Sequence, residues 1–176
     1  MINDKIKIFG ISDLQAPQKG LLQLRLIDFQ GITLWEKSVK TQLPANSSAI
    51  IFETDTTELL SLVGRSKCIL VTTFETGKNV IDTDYHYFAR VKDLKLVDPG
   101  ISLDVKETPD AYSVTIHSEN LAKNIFLTST NSEVQFSDNF MDILPGQSVT
   151  VTCPKSIELE EFKSGLKYLT VFETMK

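Results

Sequence analysis

"ISLDVKETPDAYSVTIHS", residues 101–118, reads as two strands separated by a turn. Ile101, Leu103 and Val105 alternate with Ser102, Asp104 and Lys106. Thr108-Pro109-Asp110 turns the chain, and Tyr112, Val114 and Ile116 then alternate with Ser113, Thr115 and His117. A period of two sends one set of side chains inward and leaves the other in water, as in antiparallel strands with one wet face.

The same period recurs on both sides of this stretch. "LLQLRLIDF" (21–29) sets Leu22, Leu24 and Leu26 against Gln23 and Arg25. "SVTVTC" (148–153) sets Val149, Val151 and Cys153 against Ser148, Thr150 and Thr152. "LKYLTVF" (166–172) shows Leu166, Tyr168, Thr170 and Phe172 on one side. Gln30-Gly31, Pro44-Ala45-Asn46, Gly77-Lys78-Asn79, Pro145-Gly146 and Ser164-Gly165 punctuate the runs. Helical pattern is confined to "TDTTELLSLVG" (54–64), with Thr56 or Thr57 as cap and Gly64 as stop, and to the acidic "SIELEEFKSG" (156–165). Neither is long enough to cover a sheet.

About seven strand-like runs precede residue 96 and about six or seven follow it, the content of one immunoglobulin-like sandwich each. The expected fold is all-β: two tandem immunoglobulin-like β-sandwiches, residues 1–96 and 97–176. "KDLKLVDPG" (92–100) joins them, and without a Gly/Ser tract the linker is short and stiff.

At 176 residues, 41% hydrophobic and 23% charged, the chain has an ordinary globular composition. No apolar run approaches the ~20 residues that span a bilayer, and the N-terminus has no apolar signal core. A net charge of −5 argues against nucleic acid as a partner. Residues 1–96 carry 12 basic against 11 acidic side chains (+1), residues 97–176 carry 6 against 12 (−6). Cys68 and Cys153 each sit on the apolar phase of a strand and read as buried free thiols.

Few titratable groups converge. His86 and His117 occupy polar phases of their strands, and neither has a second His at helical metal-site spacing. Asp82, Asp84 and His86 share one strand face that could hold a metal weakly. A solvated edge-strand face, which discourages edge-to-edge pairing, is the favoured reading. The phosphate-loop, dinucleotide-binding and nucleophile-elbow motifs are absent. No cofactor and no metal are expected. Trp35 lies in the third strand-like run, where immunoglobulin-type sandwiches bury a tryptophan; an exposed sugar-stacking platform is the alternative. Lys37 and Val39 share its phase and supply no second aromatic. Tyr85 and Tyr87 read as core, with Ala89 and Val91 continuing their phase. "NSS" (46–48) fits a glycosylation sequon but carries no weight alone.

"FSDNFMDILPG" (136–146) is neither clean strand nor clean helix. Phe136, Phe140 and Leu144 are expected to pin a corner to the core, and Pro145-Gly146 to close it. Asp138 and Asn139 are expected to satisfy backbone groups left unpaired where a strand crosses between sheets.

The second half resembles the C-terminal immunoglobulin-like domain of β-mannosidases of glycoside hydrolase family 2. The resemblance is carried by "SENLAKNIFL" (118–127), "FSDNFMDILPGQSVTV" (136–151) and "LKYLTVFET" (166–174). The first half is similar to the domain preceding it, through "RLIDFQGITLWEKS" (25–38), "LPANSS" (43–48) and "YHYFARVKDLKL" (85–96). Val91 stands where that family often has a proline. The resemblance implies a parent that is a retaining exo-glycosidase, with its acid/base and nucleophile glutamates on a (β/α)₈ barrel N-terminal to these domains. No catalytic residue carries over, so the chain on its own is expected to be a non-enzymatic accessory. Its implied partner is that barrel. A carbohydrate-binding module, with weak sugar contact, and a protein-interaction tandem are the alternatives. The compartment stays open, a secreted or periplasmic parent included.

Overall fold

The computed structural model describes residues 5–61, 63–131 and 133–175. The chain divides into two compact units, Met1–Asp28 with Ile32–Leu94, and Phe29–Gly31 with Lys95–Lys176. Both are all-β assemblies of antiparallel strands.

The first unit contains β1 (Lys5–Ser12), β2 (Gln18–Asp28), β3 (Thr33–Leu43), β4 (Ser47–Asp55), α1 (Thr56–Ser61), β5 (Cys68–Thr76) and β6 (Asn79–Tyr87). Its strands form a two-stranded sheet, β1-β4, and a four-stranded sheet, β3-β2-β5-β6. Six strands are described here, one fewer than the sequence count. The leucines of β2 explain the core. Leu22, Leu24 and Leu26 lie opposite Phe74, Thr72 and Leu70 of β5, and all three are fully or almost fully buried. Gly10 allows the small sheet to approach this core closely. A Cβ there would meet Leu43 at 2.8 Å and Ile51 at 2.9 Å.

The strand β4 gives way to α1 because the Asp55 carboxylate accepts the Thr57 N–H at 2.7 Å. Asp55, not Thr56 or Thr57, is therefore the cap. Leu59 and Leu60 drop from α1 into the core, and Gly64 (φ 87°) returns its N–H to the Leu60 carbonyl.

The second unit contains β7 (Ile101–Glu107), β8 (Ala111–Ser118), β9 (Ala122–Ser129), β10 (Met141–Ile143), β11 (Ser148–Pro154), α2 (Leu159–Gly165), β12 (Leu166–Leu169) and α3 (Val171–Thr174). Its sheets run β11-β8-β7 and β10-β9-β12. Tyr112, Val114 and Ile116 of β8 meet Ile125 and Leu127 of β9 in the core. The short α2 adds Phe162, which stacks on Tyr112 with centroids 4.7 Å apart. The expected strand over 166–172 stops at Leu169. Thr170 caps α3 by accepting the Phe172 N–H, while Glu173 accepts the Thr170 N–H at 2.8 Å. That reciprocal capping box starts a helix where alternation alone would continue a strand. Cys68 and Cys153 are free and buried, and burial pushes the Cys68 thiol up to about 11.

Candidate functional site

The 136–146 corner follows from three local interactions. Asn139 Oδ1 accepts the Leu127 N–H at 2.7 Å, and its Nδ2 donates to the Leu127 carbonyl at 2.9 Å. One side-chain amide thus does for β9 what a neighbouring strand's backbone would do. Asp138 accepts the Asn139 N–H at 2.7 Å and holds that amide in place. The turn Leu144-Pro145-Gly146-Gln147 closes by a Gln147 N–H to Leu144 carbonyl bond, with Gly146 at φ 72°. Proline second and a positive-φ glycine third are what a type II turn requires.

Phe136 and Leu144 are buried. Phe140 is not: it is 64% exposed and lies flat on Phe126, centroids 5.0 Å apart. Its backbone adopts φ 62°, with its N–H donated to the Ile125 carbonyl at 2.7 Å. That left-handed residue throws the ring to the outer face of the sheet, so the expectation of three core anchors is corrected to two. Beside it, Lys123 and Asp142 form an ion pair at 3.0 Å with side chains only 11% and 13% exposed. The second Asp142 oxygen accepts the Asn124 N–H.

The first unit offers a concavity. Its two-stranded sheet is narrower than the four-stranded one, and the outermost strand β6 is an edge strand. A groove of about 680 Å³ runs between β1 and β6, with Ile8 and Phe9 on one side and Thr72, Asp84 and His86 on the other. Register explains the polar wall. Asp82, Asp84 and His86 pair with Phe74, Thr72 and Leu70, so they stand on the core-side face of the sheet. Tyr85 and Tyr87 pair with Val71 and Ile69 on the opposite face, so their expected place in this core is corrected.

Asp82 and Asp84 each accept the N–H of the following residue. His86 meets Phe88 edge-on at 4.9 Å. Burial lowers its pKa from the ordinary 6.5, partly offset by Asp84. Among the described residues, no group of three or more His, Cys, Asp or Glu is placed to hold a metal. His117 lies in the second unit, its Nδ1 3.1 Å from Ser148 Oγ. Trp35 is half-buried at the margin of the first core, opposite Leu26 on the edge strand β3. It neither fills the core nor forms an open platform. No helix among the described residues is long and apolar enough to cross a membrane.

Two antiparallel β units in tandem, one with a mixed groove and one with a braced corner, define a class of sandwich modules. Residues 4–93 match the family model described as the mannosidase Ig/CBM-like domain, and residues 96–174 match its Ig-fold companion in mannosidases. The chain belongs to this mannosidase immunoglobulin-like family. It is similar to the β-D-mannosidase of Dictyoglomus thermophilum, at 27% identity and a TM-score of 0.72, over 97% of this chain and 20% of that one. It shares its fold with the exo-chitosanase of Amycolatopsis orientalis, at 10% identity and a TM-score of 0.54, over 94% of this chain and 24% of that one. The chain therefore spans a fifth to a quarter of the length of these relatives. No curated protein matches it.

Proposed function

We propose that the chain is the C-terminal, non-catalytic part of a β-mannosidase-like glycoside hydrolase, a structural accessory that packs on or extends from a (β/α)₈ catalytic barrel. The observation that carries this is the alignment of 97% of the chain with only 20% of a β-D-mannosidase. In this reading the parent is a retaining enzyme whose paired glutamates lie elsewhere in the polypeptide. The two accessory domains are residues 1–96 and 97–176. This division is supported by the compact units, which part at Leu94/Lys95, and by family matches that part between residues 93 and 96. The 136–146 corner is architectural, supported by the two bonds between Asn139 and Leu127. The test is to determine the coding sequence upstream of Met1. A barrel domain with paired glutamates is expected, and an upstream region of any other kind overturns the proposal.

A second reading, weak carbohydrate binding, draws on the groove of the first unit. Asp84 and Thr72 offer hydroxyl partners there, and Phe9 an apolar wall. Calorimetric titration with mannose and mannobiose separates the two readings: the accessory role predicts no heat of binding.

A further inference from the structure

The outer face of the β10-β9-β12 sheet carries an apolar cluster that the fold of this chain does not use. Leu169 lies directly opposite Phe126 across the β9–β12 pair, and Phe140 stacks on Phe126 from the β10 side. Leu169 is 50% exposed and Phe140 64%.

Phe140 is the informative member. A bulky residue at φ 62° is an outlier, in a conformation that glycine or asparagine occupies at lower cost. The Asn139 amide on one side and the Phe140 N–H bond to Ile125 on the other hold the backbone there. The position thus combines backbone strain with an exposed aromatic ring. The strain works against this chain and the ring, apart from its stack on Phe126, is left in water; strain held in place by its surroundings points to a role beyond folding. An exposed apolar cluster at such a place marks a contact surface.

The occupant follows from chemistry and length. The polar side chains nearest the Phe140 corner are already committed, whereas Lys167 and Thr128 flank Leu169 and Phe126 on the same face. Both ends of the Asn139 amide are bonded to Leu127, and Lys123 and Asp142 are paired. The centre of the face is two aromatic rings and a leucine with a polar rim, a surface suited to apolar protein side chains. The relatives carry four-fifths and about three-quarters of their length outside the region that this chain matches.

We infer that the Phe126–Phe140–Leu169 face is the surface on which the catalytic portion of the parent polypeptide docks. This rests on the accessory role proposed above. Phe140 is a positioning residue for the parent, kept in a conformation that costs this chain stability.

Hydroxyl-radical footprinting of the 176-residue chain and of the full-length parent polypeptide tests this. Phe140 and Leu169 should label heavily in the chain alone and several-fold less in the parent. Phe140→Gly should leave the thermal midpoint of the chain unchanged or raise it, while lowering that of the parent by several degrees. Equal labelling of Phe140 in both proteins, or a parent indifferent to Phe140→Gly, overturns the docking surface while leaving the accessory role intact. Labelling that falls as the isolated chain is concentrated would make a second copy the occupant and also overturns it. A parent without a catalytic domain removes both proposals.

Discussion

Asn139 replaces a missing strand at one point of β9, so its loss exposes two backbone groups at once. Asn139→Ala leaves the Leu127 N–H and carbonyl without these partners and should cost the second unit about 1–3 kcal/mol, the penalty for unsatisfied buried polar groups. Chemical denaturation followed by a probe in each unit checks this. An unchanged second unit would show that water replaces the amide. That Asn139 would satisfy backbone groups was foreseeable from its residue type; that the groups belong to Leu127, twelve residues back, was not. The fate of Phe140 was not: alternation assigns apolar residues inward, and nothing in the residue type announces φ 62°. Trp35 was half legible in the same way. Its strand was evident, but not that β3 lies at a sheet edge, where the residue is only half-buried. Trp35→Ala should therefore cost about 2 kcal/mol, below the ~3–5 typical of a fully enclosed aromatic. Emission should be intermediate in wavelength and indifferent to manno-oligosaccharides. A red-shifted, sugar-responsive signal would support the binding module.

At the scale of elements, the periodic strands were readable because each face has one environment. β8 is the clearest case: Tyr112, Val114, Ile116 and Ser118 are buried, and the residues between them are half-exposed. Helix starts inside β-rich sequence were harder, since Asp55 and the Thr170–Glu173 box act through geometry that alternation does not encode. β6 misled for another reason. The narrow second sheet leaves its core-side face open, so polar side chains occupy the inward phase. This gives β6 a pH signature. Burial holds the His86 pKa in the folded state below its ordinary 6.5, so protonation favours the unfolded chain. Stability associated with neutral His86 is present above about pH 6.5 and is lost as pH falls through the lowered folded value. Because the ring is exposed at the groove and solvent screens it, denaturation midpoints of the first unit should fall only modestly as pH drops below about 6.5, and His86→Gln should flatten that slope. An identical slope in the variant would assign the effect to the carboxylates.

For the whole molecule, the arrangement of carboxylates decides what chemistry the chain can do. A retaining glycosidase sets two carboxyl groups roughly 5–5.5 Å apart on opposite sides of the scissile bond, one as acid/base and one as nucleophile. Here several carboxylates are already committed. Glu53 pairs with Lys5 and Lys7, Asp142 with Lys123, and Asp55 and Asp138 accept backbone N–H groups. Asp82 and Asp84 do line the groove region, but they sit two residues apart on one face of a single strand. Carboxylates placed side by side point the same way and cannot flank a sugar ring. The 176-residue chain should therefore hydrolyse an aryl β-mannoside at the uncatalysed rate, whereas glycosidases exceed it by at least about 10⁶-fold. The decisive assay compares the purified chain with Asp82→Asn and Asp84→Asn variants. Turnover that persists through purification and disappears in either variant would make the groove an active site and reverse the accessory reading. Turnover identical in all three proteins would identify a contaminating hydrolase.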